Sequence, residues 1–304
     1  MSAGQLELNP GLLLRLERMS LAAKRRIRGN MQGKRSSKQL GASLEFADYR
    51  LYSPGDDIRR FDWGAYARTG KPFIKQFMDE QELRVHLYVD CSRSMDFGGG
   101  GAGSEQARAS KFLYARQLAA CIGYIALSGY DRVGVRLFGE RIERELPLLR
   151  GKGSMPRLLG FLAEAETVPR GDLAQAVMRP GAVPRQPGMS WVFSDFLYES
   201  GVEESLGFLH AAGQEVVVVH ILSEEEMNPK LSGDLRLIDS ESGAGKEVAV
   251  TGRVLRDYRA AVHQYSQGLK RFCHERNMAY MLLTTGTPVE DAVQRSLREN
   301  GLLL

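Results

Sequence analysis

The chain has 304 residues, 43% hydrophobic and 26% charged, the balance of an ordinary globular protein with apolar material for one large or two modest domains. No apolar run approaches the roughly 20 residues of a membrane-spanning helix, and the start lacks the basic region of a signal peptide. Cys91, Cys121 and Cys273 are odd in number, far apart and without zinc spacing, so reduced thiols and a cytoplasmic location are expected.

In chain order, Leu12, Leu13, Leu16, Met19 and Ala23 predict a helix within the first thirty residues. The net charge of +4 is uneven, with 15 Lys and Arg against 9 Asp and Glu in residues 1–80 and 26 against 28 in the remainder. The excess concentrates in seven cations from Lys24 to Lys38. Such a cluster suits nucleic acid, anionic lipid or an acidic protein face, although most basic runs are solvated linkers. No aromatic residue interleaves it to stack on bases. The Gly-, Ser- and Lys-rich stretch 29–41 reads as linker.

A dense segment follows from Tyr49 to Phe77. Pro54 and Gly55 set a tight turn. Asp56, Asp57, Arg59, Arg60, Asp62 and Arg68 alternate in charge beside Trp63 and Tyr66. Arg pairs bidentately with carboxylates and stacks on rings, so these side chains are expected to lock an irregular segment against a sheet, with partner docking as the second reading. No histidine accompanies them for acid-base work.

Leu83, Val85, Leu87 and Val89 alternate as in a strand and run into Asp90-Cys91-Ser92-Arg93-Ser94. This puts three short oxygen-bearing side chains, Asp90, Ser92 and Ser94, at the carboxyl end of a strand, where open α/β sheets bind ligands. Converging oxygens suit a hard cation such as Mg²⁺, or Mn²⁺. The glycine tract 98–103 lacks the Lys-Ser/Thr ending of a phosphate loop, and Ser104 stands as the expected cap of a helix with Phe112, Ala115, Ala119, Ile122 and Ile125 on one stripe. Cys91, beside Arg93 in the loop, is a nucleophile only if a base lies nearby.

Residues 132–138 and 142–148 predict a hairpin, and 154–166 and 173–178 helices. A strand around Trp191 ends in Asp195, a second acid able to share an ion with Asp90. A helix over 202–212, a strand over 216–222, a hairpin insertion over 235–238 and 247–250, a helix over 255–277, a strand over 280–283 and a helix from Pro288 complete the series. Strands alternating with helices predict an α/β fold with a doubly wound, mainly parallel sheet. His86 and His220 fall inside strands, where a structural role is the commoner one.

The Asp-x-Ser-x-Ser loop with Asp195 resembles the metal-ion-dependent adhesion site of the von Willebrand factor A-like (Rossmann-like) fold. That resemblance assigns Asp90, Ser92 and Ser94 to the first motif and Asp195 to the third. The second motif departs: Pro169-Arg170-Gly171-Asp172-Leu173 puts Gly171 where the family has a ligating Thr, and Asp172 is either a substitute ligand or a helix cap. Residues 49–77 resemble the signature of the bacterial domain-of-unknown-function family 58. That family joins this segment to a von Willebrand factor A-like domain, and its members are often encoded beside MoxR-type AAA+ ATPases. The resemblance runs from about Gly41 to the C-terminus and implies three parts: a basic helix and linker over 1–40, the signature segment over 41–81 packed on the main domain, and the von Willebrand factor A-like domain over 82–304.

Three functions follow as expectations. The first is a non-enzymatic adaptor with a partial metal site, whose open coordination position takes an acidic side chain of a protein ligand and whose partner is a MoxR-type ATPase. The second, favoured by Gly171, is a scaffold with a decayed, metal-free site. The third is a metal-dependent phosphoester hydrolase, suggested by acids near Arg170 but without a visible general base.

Overall fold

The computed structural model describes residues 6, 9–23, 46–54, 56, 58–77, 82–98 and 109–303. The basic cluster from Lys24 to Lys38, Gly55, Asp57 and Ser104 lie outside the described residues. The chain divides into two compact units, Met1–Ala23 with Leu83–Leu304, and Lys24–Glu82.

In the main unit, helix α1 (Pro10–Leu16) is capped by Asn9, whose side chain accepts from the Gly11 N–H. It is shorter than the leucine pattern predicts. Beyond Leu16 the chain extends, because Leu21 pairs with Leu303 and Ala22 N–H donates to the Leu302 carbonyl at 2.9 Å, burying Leu21, Ala22 and Ala23. Local helix propensity yields here to tertiary burial. The division at Ala23 differs from the expected basic segment over 1–40, since Leu12, Leu16, Met19 and Leu21 all enter the main core.

The main sheet has the order β10-β7-β6-β3-β4-β5, with β3 Arg84–Asp90, β4 Arg132–Phe138, β5 Ile142–Arg150, β6 Gly188–Ser194, β7 Gln214–Leu222 and β10 Ala279–Thr284. All neighbours are parallel except the β4–β5 hairpin. From β3 the chain builds outward to β4 and β5, then returns to lay β6 on the other side of β3. The crevice between the carboxyl ends of β3 and β6 is therefore the topological switch point, the place where open α/β sheets bind ligands. This is the doubly wound, von Willebrand factor A-like arrangement expected.

Alternation along β3 sends Val85, Leu87 and Val89 into one core and Tyr88 into another on the opposite face. The first core is filled by the helix Lys111–Ser128, here α3, buried on nearly every side. Its cap is Ser110, whose Oγ accepts from Leu113 N–H. The second core is filled from Leu173–Val177, Val202–Ala211 and the long helix Gly252–Glu275. The hairpin insertion forms as β8 (Gly233–Ile238) and β9 (Gly245–Val250). No described helix is long and apolar enough to cross a membrane.

The second unit is regular rather than irregular. Strand β1 (Phe46–Leu51) pairs antiparallel with β2 (Phe73–Phe77) around helix α2 (Trp63–Thr69), which ends at Gly70 with φ 68°. Its charges bind one another. Asp62 caps α2 through Ala65 N–H, accepts from the Tyr49 hydroxyl and pairs with Lys75. The Ala65 N–H, followed by the Tyr49 hydroxyl, holds the Asp62 carboxyl down to about 2. Asp56 takes Arg50 at 2.6 Å and the Ser53 N–H in the turn after Pro54. Arg59 and Arg68 are exposed, and the side chain of Arg60 lies outside the described residues. Trp63, 65% exposed, packs at 4.5 Å on Phe61 and edge-on to Tyr66.

Candidate functional site

The fold does bring Asp90 and Asp195 to one crevice, at the ends of adjacent strands, and both are completely buried. Burying a carboxylate is costly unless it is paired, so the identity of each partner decides what the site can do.

Asp90 is satisfied from within. Its Oδ1 accepts from the Ser92 N–H at 2.8 Å, folding the loop back on the strand end. Its Oδ2 accepts from the Ser194 hydroxyl at 2.7 Å and from the Tyr198 hydroxyl. Ser194 Oγ also accepts from the Phe196 N–H, which turns the chain sharply after β6 with Phe196 at φ 52°. Burial, and then the Asp195 carboxylate beside it, push Asp90 up to about 6 against the three donors that oppose the rise. The same burial and the two carboxylates raise the Tyr198 phenol well above its ordinary range, so it stays a donor.

Asp195 holds a cation supplied by the chain itself. The Lys111 ammonium lies 2.7 Å from Asp195 Oδ2 and 2.5 Å from Glu226 Oε1, with the Lys111 and Asp195 side chains each 1% exposed. Asp195 Oδ1 takes the Leu197 N–H. Glu226 reaches the site from a capping box, its other oxygen accepting from Ser223 N–H while Ser223 Oγ accepts from Glu226 N–H. Burial opposes charge on Lys111, yet the Asp195 and Glu226 carboxylates outweigh it and raise its pKa. The ring of Phe97 covers the ammonium at 5.9 Å.

These residues do not fit a divalent ion. Mg²⁺ requires near-octahedral oxygens with free lone pairs, whereas Asp90 already carries three donors and both Asp195 oxygens are engaged. Ser92 and Ser94 hydroxyls bond each other at 3.0 Å. Asp172 is the cap of Leu173–Val177, accepting from Gln175 N–H and its side-chain amide. Gly171 is a steric requirement as well as a missing ligand: a Cβ there would stand 2.6 Å from Ser92 Cβ and 3.1 Å from its Oγ. A threonine in that position forces the loop apart. No group of three or more His, Cys, Asp or Glu side chains suited to a metal occurs among the described residues.

Cys91 is likewise no nucleophile. It is buried, its thiol donates to the Phe138 carbonyl at 3.2 Å, and burial together with Asp90 pushes it up to about 12. The central residues that motif reading misses are Lys111, Glu226, Ser194 and Tyr198. Lys111 carries a visible signal, since it shares the helical stripe of Ala115, Leu118 and Ile122, where a charge in an apolar row demands a buried partner. Ser223 and Glu226 likewise spell a Ser-x-x-Glu capping box.

The chain is similar to several known proteins. A solved structure of BatB from Bacteroides thetaiotaomicron is 12% identical at a TM-score of 0.40, over 72% of this chain and 98% of that one. An aerotolerance-related membrane protein from Bacteroides fragilis NCTC 9343 is 13% identical at 0.42, again over 72% and 98%. In sequence, an uncharacterized protein of Mycobacterium tuberculosis H37Rv is 31% identical over 261 residues, 84% of this chain and 80% of that protein. The family model described as "Protein of unknown function DUF58" matches residues 48–268. By that match over most of its length, the chain belongs to the DUF58 family.

Proposed function

We propose that this chain is a non-enzymatic interaction protein whose carboxyl-edge site works without a metal ion, the Lys111 ammonium standing in for the divalent cation of an adhesion site. The observation that carries this reading is the buried bridge Asp195–Lys111–Glu226. It gives Asp195 a buried counter-charge at the switch point and ties the strand ends to the first turn of α3 and to the Ser223 capping box. The Lys111 ammonium is shielded, so a partner's acidic side chain finds no open cation to complete. Contact falls instead to the exposed rim: Arg93, Asp96, Phe97 (51% exposed) and Leu197 (52% exposed). A rim held rigid from below loses little entropy on docking. The same engagement of Asp90 and Asp195 leaves neither carboxylate free as a general base, which supports a binding rather than a hydrolytic role. The partner we propose is a MoxR-type AAA+ ATPase, as the family resemblance implies.

The test is calorimetric titration of Mg²⁺ and Mn²⁺ into the intact, EDTA-treated chain, followed by affinity measurements with a MoxR-type ATPase. No saturable metal binding is expected, and Phe97→Ala with Leu197→Ala should weaken the complex tenfold or more. Saturable binding abolished by Asp90→Ala and Asp195→Ala would refute the metal-free reading. Unchanged affinity of the rim variants would refute docking at this edge.

A further inference from the structure

A second polar cluster lies at the other end of β3. Arg84 and His86 share the Asp90 face of the strand, and six residues of extended chain put Arg84 roughly 20 Å from Asp90. There the edge hairpin is irregular. Val133 pairs with Leu149 but Val135 with Leu146, so Pro147 and Leu148 together face Gly134 across a bulge. Gly134 allows the close approach, since a Cβ there would meet the Leu146 carbonyl at 3.1 Å. Beside the bulge is a cavity of about 440 Å³, closed on another side by the 184–186 segment. This lies within the roughly 300–1,000 Å³ of small-molecule sites.

Its charge is one-sided. Arg84, Arg136 and Arg185 line it against one carboxylate, Glu145. Arg136 is committed: it pairs with Glu145 at 2.6 Å, lies over the Tyr88 ring and donates through Nη1 to His86 Nδ1 at 3.2 Å. A guanidinium only donates, so Nδ1 accepts and the proton of the neutral ring sits on Nε2. His86 is 4% exposed, and that Nε2–H has no hydrogen-bond partner among the described residues; nor do the Nε atoms of Arg84 and Arg136. Burial, then Arg136 and Arg84, hold His86 down to about 3, so at neutral pH it is an uncharged donor in a positive field. Among the described residues neither Arg84 nor Arg185 makes an ion pair.

We propose that this cavity binds a small organic phosphate, held by the Arg84 and Arg185 guanidinium groups above His86, with its organic part against Pro147, Leu148 and Pro184. The two surplus positive charges match the near −2 charge of a phosphate monoester at neutral pH, and two guanidinium groups supply paired N–H donors for its terminal oxygens. Guanidinium forks suit that group geometrically. Inorganic phosphate fills only a fraction of the volume, and the proline walls offer an apolar surface to a ring or chain. The assignment is independent of how the carboxyl edge functions.

The experiment is calorimetric titration of the full chain with phenyl phosphate and, separately, inorganic phosphate, at ionic strength fixed with chloride. In parallel, ¹H–¹⁵N spectra follow the His86 ring nitrogens. Saturable phenyl phosphate binding is expected, at least tenfold tighter than inorganic phosphate, with movement of the His86 Nε2 signal. Arg185→Ala, an exposed position that leaves packing intact, and Arg84→Gln should each weaken it tenfold or more. Absence of saturable binding, an unmoved His86 signal, or full affinity in both variants would overturn the site. Equal binding of the two phosphates would overturn the apolar wall.

Discussion

Replacing Lys111 with methionine, similar in length but uncharged, isolates the built-in cation. Lys111 and Asp195 side chains are each 1% exposed and Glu226 is 15% exposed, so water cannot take over the ammonium's role. Removing one partner of a buried pair leaves an uncompensated charge and costs about 3–5 kcal/mol. For a unit of this size, about 2–4 °C of Tm per kcal/mol makes that a fall of roughly 6–20 °C. Urea and thermal denaturation, followed by circular dichroism in metal-free buffer, measure it. The sharper reading is the double variant Lys111→Met with Asp195→Asn, which removes the more deeply buried of the two stranded charges and should recover more than half of the loss, a coupling expected of contacting groups. A loss below about 1 kcal/mol, the worth of an exposed ion pair, would refute the argument. So would a Tm of the unaltered chain that climbs several degrees with millimolar Mg²⁺, since a bound ion stabilises by mass action.

Near pH 5, unfolding lets His86 and His220 bind protons they exclude when folded, burial first of all holding them to about 3 and about 4, while Asp90, raised to about 6, releases one. The unfolded state thus gains about one net proton and stability rises with pH by about 1.4 kcal/mol per unit between roughly pH 4.5 and 6; a urea midpoint that is flat or falls over this range would contradict it. Gly171→Thr, which restores the family's ligand type, should cost about 1–3 kcal/mol by overpacking against Ser92, and calorimetry should still find no Mg²⁺ binding. Asp62→Ala should speed amide exchange in β1 and β2, because it removes the α2 cap and the contacts to Tyr49 and Lys75, while exchange in the main sheet stays unchanged. All three cysteines are buried, and burial pushes each thiol up to about 12, so a thiol reagent at pH 8 should modify none until denaturant is added.

Periodicity made the strands and helices legible because the main sheet buries both faces, and continuous apolar runs such as Val216–Leu222 have no other use. The N-terminal helix is shorter than its leucine pattern predicts for the opposite reason. Leu21, Ala22 and Ala23 are apolar in order to meet the C-terminal segment near Leu303, a contact nearly the whole chain away that no local pattern contains. The candidate site was half legible. Asp90 and Asp195 are found by their place at strand ends, but whether an acid ligates a metal depends on what else donates to it. The side-chain donors come from residues 84 and more positions distant, Lys111 to Asp195 and Ser194 and Tyr198 to Asp90.

The departures from an adhesion site are linked. A loop that merely lost its Thr would leave Asp90 and Asp195 buried side by side with their charge unmatched, a costly state. Here Lys111 neutralises one acid, and Ser194 and Tyr198 saturate the other. Gly171 lets the second loop close to within the space a Thr side chain would fill. Restoring Thr alone therefore recreates no site, because Lys111 still holds Asp195. Removing Lys111 alone exposes the cost that a metal would otherwise offset. On the proposed reading the energetic role of the ion falls to a side chain that cannot dissociate, so the edge is expected to keep one arrangement at every metal concentration, as a permanently assembled docking surface would require.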